Sequence, residues 1–381
     1  MKIRNNVEKL RSFIGLLVKA RVKDSTGWRK WRSRETNEKL MEELFGYEKL
    51  EGMPSITTLV KPFFHPSLPL IGLNYTQVAH NVLHHHPSGW TDPLKLCRGI
   101  VFSRRGKLVA LPFPKFFNDE EMEETRNLPD EPFVATLKHD GHLGIIFEYQ
   151  GQIVATTRGS FQSKSAILAN EMLSTIGSRW AEAFPKNVTV LVEIIHPGTE
   201  VIVDYDGRED FILIGAYHRK SLEDFGFRKL QSLSRRLEIP VTETWSGNSI
   251  AELRALVAET DYKNSEGYVV RFKGGLRVKM KHAGYISKMI AGKLTPLYVM
   301  QRLMTDTFED RFADLDAEIQ IQADRIRAEV MAVKDVQGGK KACWNYLYEL
   351  FPEEERTVYR RQICRNFYKW ILEQTPESAA A

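Results

Sequence analysis

Apolar positions recur with helical spacing at the start of the chain, where Leu10, Phe13, Ile14, Leu17 and Val18 share one helix face. A second basic stretch around Trp28, Lys30 and Arg32 follows, so two helices are predicted in the first fifty residues. From about residue 54 to 294 the texture changes to short apolar runs broken by Gly, Pro, Asn and Asp, the pattern of strands joined by tight turns. The runs are CRGIVF (97–102), LGIIFEY (143–149), IVATTR (153–158), VTVLVEII (188–195), FILIGAY (211–217), GYVVRF (267–272) and LRVKMK (276–281). Helical spacing interrupts them near 163–184, 222–236 and 249–259. After Pro296 the pattern is helical to the end, with a long stretch near 308–334, a break at Gly338 and Gly339, and two more helices around Pro352.

These patterns predict an α+β fold: a basic helical extension over 1–53, a domain built on antiparallel sheets over 54–294, and an all-α C-terminal domain over 295–381. No repeat or low-complexity tract appears, apart from a short Ala-rich terminus expected to fray. With 381 residues, 43% hydrophobic and 27% charged, the chain can bury a large core and make two or three domains. A net charge of +5 and a pI near 8.9 suit a polyanionic partner without establishing one. Cys97, Cys343 and Cys364 follow no CxxC or metal-ligand pattern, so a reducing cytoplasm is the expected setting. No apolar run approaches the roughly 20 residues needed to span a bilayer, and the N-terminus lacks the apolar core of a secretion signal. The Lys- and Arg-rich residues 1 to 34 fit a basic helical arm better than a mitochondrial presequence.

The string FVATLKHDGHLGIIFEY places Lys138 at a strand end, with Asp140 and Gly141 turning the chain into the next strand. Asp-Gly is also a common two-residue hairpin turn, and KxDG arises by chance in roughly one chain in ten of this length. Further charged residues stand at strand edges: Arg158 in TRGS, Glu193 in VEII, Glu266 in EGYVV, and Lys279 with Lys281 in RVKMK. Alternate strand residues share a face, so Lys279 and Lys281 point the same way. Two ammonium groups on a core strand repel unless an anion such as a phosphate chain lies between them; on an exposed face they would simply be solvated. His84, His85 and His86 are consecutive, with no acid close in sequence, and read as a surface loop before Pro87 rather than a metal site.

The order KHDG, TRGS, VEIIHP, EGYVV, VKMK resembles the covalent nucleotidyltransferase superfamily of ligases and capping enzymes. More narrowly it is similar to the type 1 ATP-dependent RNA ligases of tailed bacteriophages, because LKLCRGIVF and LPFPKFFN match that family's region before the nucleophile. The likeness runs from about Asn74 to Tyr285. It implies ATP and Mg²⁺ (or Mn²⁺) as cofactors, with Lys138 as the catalytic nucleophile that takes AMP. Arg98 and Lys115 would grip the triphosphate, Arg158 would stand behind the nucleophile, and Glu193 would lie near the ribose. Glu266 would orient a metal-bound water, Lys279 and Lys281 would hold the α-phosphate, and Tyr285 would be a functional tyrosine. Glu309 and Asp310 fall near the family's metal-binding acidic pair, or on an ordinary solvated helix face. An aromatic on the strand after Glu193, Phe211 or Tyr217, would stack on adenine or pack in the core.

Two departures from the family stand out. Leu73 occupies the place of a nucleotide-contacting tyrosine, and the first fifty residues exceed the family's N-terminus. The C-terminal mixture of Arg360, Arg361, Arg365 and Lys369 with Tyr359, Phe367, Tyr368 and Trp370 would either clamp RNA or pack as an amphipathic helix. In the family this region helps select structured RNA such as cleaved tRNA.

The implied activity joins 5′-phosphate and 3′-hydroxyl RNA ends through lysyl-AMP and adenylylated-RNA intermediates, in RNA repair. Its partners would be RNA, with tRNA a candidate, and an end-healing kinase or phosphatase, in the cytoplasm of a cell or of a phage's host and with no membrane. Elementary chemistry agrees with these roles. A lysine attacks phosphorus only as the neutral amine, and neighbouring cations such as Lys279, Lys281 and Mg²⁺ disfavour an ammonium. Arg98, Lys115 and Arg158 would stabilise charge gathering on the transition state and pyrophosphate. A hydrated Mg²⁺ needs few carboxylates, so no metal cage is expected. The alternatives are a DNA ligase, a capping guanylyltransferase or a non-catalytic RNA-binding protein. A helical tail instead of an OB-fold argues against the DNA ligase, and retention of every charged motif position argues against the last.

Overall fold

The computed structural model describes residues 3–19, 35–259, 265–312 and 317–374; the stretch around Trp28, Lys30 and Arg32 and the Ala-rich terminus lie outside them. The chain divides into two compact units, Met1–Lys281 and His282–Ala381. The first is mixed α/β on largely antiparallel sheets and the second is helical.

In the first unit a four-stranded sheet has the order β1-β2-β3-β4, from Val60–Phe64, Leu70–Tyr75, Arg98–Ser103 and Leu108–Ala110. Helices α1 (Ile3–Lys19), α2 (Glu35–Phe45), α3 (Ile56–Leu59), α4 (Gln77–Leu83) and α5 (Asp92–Leu96) accompany it. The periodic face of α1 does not stay in solvent: Val7, Leu10, Phe13, Ile14 and Leu17 are buried in the same core as the sheet. Phe13 meets Phe45 edge to face at 4.9 Å. Burying such side chains is worth about 1.5–3 kcal/mol each, enough to dock a helix that propensity alone would not hold.

Two five-stranded sheets carry the charged motifs of the sequence. One, of order β12-β6-β13-β14-β5, contains β5 (Phe117–Asn118), β6 (Phe133–Lys138), β12 (Thr244–Gly247), β13 (Gly267–Phe272) and β14 (Arg277–Lys281). The other, of order β11-β10-β9-β7-β8, contains β7 (His142–Tyr149), β8 (Gln152–Thr156), β9 (Val188–Ile195), β10 (Asp210–His218) and β11 (Glu223–Asp224). Short helix α6 (Glu123–Arg126) follows β5, and α10 (Ile250–Glu259) packs Leu253 against the first of these sheets. Helices α7 (Lys164–Ile176), α8 (Ser178–Ala183) and α9 (Phe227–Leu237) cover the second, and Trp180 Nε1 donates to Leu237 O at 2.9 Å beneath them.

The Asp-Gly segment is therefore not a hairpin. β6 and β7 lie in different sheets, and residues 139–141 cross from one to the other. Asp140 secures the crossing: one carboxylate oxygen accepts from Ile202 N and Val203 N, both at 2.8 Å. A Cβ on Gly141 would lie 2.4 Å from Ile194 O, so only glycine lets the crossing pass so close to β9.

The second unit runs α11 (Ala283–Ala291), α12 (Pro296–Met304), α13 (Phe308–Phe312), α14 (Ala317–Met331), α15 (Gly339–Glu349) and α16 (Val358–Gln374) around a core including Val299, Met300, Leu347 and Phe367. No helix among the described residues is long and apolar enough to cross a membrane.

Candidate active site

Strand register brings the expected residues into rows. Gly267 of β13 pairs with Lys138 on one side and Lys281 on the other, and Val269 pairs with Thr136 and Lys279. Lys138, Lys279 and Lys281 thus share one face of the sheet, as alternation requires. Glu266, buried at the head of β13, lies between the outer pair: one carboxylate oxygen holds Lys138 Nζ and the other accepts from Lys281 Nζ at 2.6 Å. The anion expected between Lys279 and Lys281 is, for Lys281, this carboxylate. Burial works to raise Glu266, but Lys138 and Lys281 outweigh it and hold the carboxyl below its usual range.

Gly267 makes the row possible. Its φ is +145°, and an added Cβ would sit 2.1 Å from Met280 O. Gly267→Ala is expected to lower stability by about 2 kcal/mol or more, read as a drop in the thermal midpoint, because neither the dihedral nor the backbone oxygen can yield.

The remaining cations gather around a residue that sequence reasoning passed over. Tyr75, almost buried, accepts from Arg158 Nη1 at 3.0 Å through its hydroxyl. Arg98 lies close enough to the same tyrosine to feel its charge, and Lys115 Nζ stands 5.3 Å from its ring centre. Leu73, where the resemblance implies a nucleotide-contacting tyrosine, is fully buried in the core. Lys115 is itself buried, with Nζ 4.7 Å from the Trp90 ring and 4.6 Å from the Phe117 ring. Burial pushes Lys279 well below the ordinary lysine value, with Arg98, Lys115 and Lys138 adding to the effect. Arg98 also keeps a buried Nη1 with no hydrogen-bond partner. Buried Lys115, half-buried Arg98 and Lys279, and the more exposed Arg158, with one buried donor unsatisfied, suit an anion of high charge.

Arg98, Lys138, Glu193 and Lys279 line one cleft of about 600 Å³ between the two five-stranded sheets. Its apolar wall includes Phe113, Phe116, Leu143, Ile214 and Val269. Phe116 receives cations at its face, with Lys279 Nζ at 5.0 Å and Arg98 at 5.7 Å. Phe211 and Tyr217 are core residues instead: Phe211 packs near Trp180, and Tyr217 packs against Phe113 at 5.9 Å. His139, next to Lys138, also lines the cleft with both ring nitrogens unpartnered; burial, then Arg208 and Lys138, hold it down to about 4.

Glu193, in the cleft lining, accepts from Gly141 N at 3.2 Å. Burial raises its carboxyl to about 7, and Lys138 only partly opposes this. A raised acid binds its proton more tightly in the folded state, so stability falls as pH climbs from the unfolded value near 4.5 through about 7. Glu193→Gln should remove that slope. Between pH 5 and 8 the nucleotide-free wild type is expected to lose roughly 2–3 kcal/mol relative to the variant, measured by denaturant titration at each pH.

The RNA ligase family profile matches residues 96–285, a segment that contains Arg98, Lys138, Glu193, Glu266 and both strand lysines. Through that segment the chain belongs to the RNA ligase family. A putative RNA ligase of Thermovibrio ammonificans is 28% identical over 130 residues, covering 32% of this chain and 34% of the relative. The alignment thus spans about a third of that relative's length. An archaeal ATP-dependent RNA ligase structure aligns over 77% of this chain and 84% of its own, at 14% identity and a TM-score of 0.49. A Naegleria gruberi RNA ligase with pyrophosphate aligns over 42% and 52%, at 18% identity and a TM-score of 0.35.

The remaining expected residues of this RNA ligase family member, Tyr285, Glu309 and Asp310, belong to the helical unit. Tyr285 is buried in α11 of the helical unit. Glu309 is exposed and pairs with Arg327 at 2.6 Å, while the side chain of Asp310 lies outside those described. In α16 the aromatic Phe367 is core, and Arg361 and Arg365 lie over Tyr348 and Trp344 at 4.7 and 4.9 Å. The amphipathic-helix alternative therefore describes much of that string.

A second cavity, of about 890 Å³, opens at the opposite ends of β3, β7 and β10 from the cleft. Arg4, Arg11, Arg104, Arg105, Lys107, Arg219 and Lys220 line it against only Glu8 and Glu148 among acids. Six strand positions separate Arg98 from Arg104, which at roughly 3.3 Å per residue sets the two sites about 20 Å apart.

Proposed function

We propose that this chain is an ATP-dependent RNA ligase that joins a 5′-phosphate end to a 3′-hydroxyl end through lysyl-AMP and adenylylated RNA. The observation that carries this reading is the Lys138–Glu266–Lys281 row set beside the Arg98, Lys115, Arg158 and Lys279 cluster. A polyphosphate delivered to a lysine suits that combination of a held amine and gathered positive charge.

In the first step Lys138 Nζ attacks the α-phosphorus of ATP, forming a P–N bond and releasing pyrophosphate. Lys279 and Lys281 face the α-phosphate, and Arg98, Lys115 and Arg158 receive the charge moving onto pyrophosphate. In the second, an oxygen of the RNA 5′-phosphate attacks the same phosphorus and the lysine leaves. In the third, the RNA 3′-hydroxyl attacks the 5′-phosphorus and expels AMP. Adenine would rest against Phe113, Phe116 and Leu143, with Glu193 near the ribose.

The cleft's carboxylates suit a hydrated Mg²⁺ or Mn²⁺ arriving on the nucleotide rather than a caged ion, because Glu266 is shared by two lysines and Glu193 holds its proton to about 7. Such an ion would supply charge neutralisation to the phosphates; Glu266 would orient its water. Tyr285, Glu309 and Asp310 remain proposed contributors from the helical unit, and repair of broken RNA, tRNA among them, remains the proposed biological role.

The test is joining of a 5′-³²P-labelled RNA to a 3′-hydroxyl acceptor, scored by phosphatase resistance of the label. ATP is expected to support it and GTP to fail; joining of DNA nicks but not RNA, or adduct formation with GTP alone, would replace this reading with a DNA ligase or capping enzyme. The basic cavity is proposed to hold the RNA backbone about 20 Å from the reacting end. Reversing its exposed Arg105, Lys107 and Lys220 to Glu should weaken RNA binding and lower the log–log salt slope by about 2, since each single-strand phosphate contact contributes roughly 0.7. Formation of the AMP adduct, which needs no RNA, checks that the cleft is intact.

A further inference from the structure

We infer that His80, His84 and Glu121 form a binding site for one divalent transition-metal ion, Zn²⁺ foremost, separate from any ion carried by the nucleotide. Ligand atoms of all three lie within 4.8 Å of one another, and each residue is half-buried. His80 and His84 stand at i and i+4 across the end of α4, so their rings project from the same side. Glu121 arrives from the turn after β5. The sequence triplet His84–His86 hid this site because its partners are one turn back and 37 residues on.

Two of the ligands are already oriented as metal ligands are. His84 Nδ1 lies 2.5 Å from His80 O, a contact that puts the ring proton on Nδ1 and leaves the lone pair on Nε2. Trp90 Nε1, 3.4 Å from that same Nδ1, is too distant to reverse the assignment. His84 Nε2 then faces Glu121 Oε1 at 3.0 Å, lone pair against lone pair. Only a cation in that gap, a proton or a metal ion, reconciles the two. The other oxygen of Glu121 is fixed by Asn118 N at 2.7 Å and by the Asn118 side-chain amide. A backbone carbonyl on the far nitrogen of a histidine and a second hydrogen bond on a carboxylate are what orient ligands around zinc.

His80, whose ring meets that of His84 at 4.4 Å between centroids, completes the set as the third ligand. Two imidazoles and one carboxylate match the ligand classes of zinc sites. Lys115 and Lys279 face Glu121 and oppose an added cation, so Glu121's charge is what makes the site viable. A bound ion would pin α4 to the turn beside Phe117, and so fix the wall on which Lys115 rests. The site stands on these residues alone and does not depend on the ligase reading.

The full-length protein, dialysed against chelator, is titrated with Co²⁺ while d–d absorption is followed, and Zn²⁺ affinity is measured by competition with a chromophoric chelator. One ion per chain is expected in the wild type, with intense visible absorption from low coordination. His80→Ala, a half-buried position, and the isosteric Glu121→Gln should each weaken Zn²⁺ by about 100-fold, the upper end of what even outer-shell changes cause. Far-UV circular dichroism establishes that both variants are folded. If the wild type takes up no Co²⁺ or Zn²⁺, or folded variants bind as it does, a proton fills the gap and the proposal is overturned.

Discussion

Incubated with ATP and Mg²⁺, the purified protein is expected to gain the mass of one AMP, and Lys138→Ala to gain none. Loss should be complete, because the P–N bond is made to this nitrogen and a methyl group offers no replacement nucleophile. Lys281 cannot substitute, since its amine is held on the far oxygen of Glu266 across the β13 strand. Pyrophosphate should discharge the wild-type adduct, the first step being an exchange of one phosphorus substituent for another. Lys138→Arg separates chemistry from folding: it retains a cation for Glu266, so the fold stays, yet guanidinium is not a nucleophile at neutral pH. Intact mass spectrometry reads all three proteins. An adduct that persists in Lys138→Ala would put the nucleophile elsewhere and sink the assignment.

The strands were legible because their signals are local. The apolar run of β9, interrupted on its face by Glu193, and the alternation of Lys279 and Lys281 on β14 each follow from period-two burial. So was the largely helical character of the described residues after Pro296. What escaped were particular contacts made by distant segments. The Asp-Gly turn has the same sequence whether its flanking strands pair or enter different sheets, and only the competition among neighbouring strands decides. Tyr75 joins Arg98, Arg158 and Lys115 from segments up to 83 residues apart. Glu266 could be read as an acid at a strand start, but not as the shared partner of two lysines. That pairing exists because Gly267 lets three strands approach without a side chain between them.

Glu266→Gln is expected to slow adduct formation by about 10²–10³-fold, the scale associated with mispositioning a reacting group or losing an electrostatic partner. The amide keeps the volume of the carboxylate but not its charge, so Lys138 and Lys281 lose their common anchor beside Lys279. Both lysine side chains keep about a fifth of their surface in water, so the stability loss should fall below the roughly 3–5 kcal/mol of a fully buried broken pair. The kinetic split is the sharper readout. Freed lysines attract phosphate at least as well, so the KM for ATP should hold or fall while kcat drops. Acid should separate the proteins too. A carboxyl held below its usual range stabilises the fold above about pH 4.5, and that contribution disappears as pH falls through the depressed value. The wild type should lose it on acidification and Glu266→Gln, which never had it, should not. A variant that forms adduct at the wild-type rate would mean that Glu266 merely neutralises the resting cleft, and that the amine is aimed by the crossing from β6 to β7 alone.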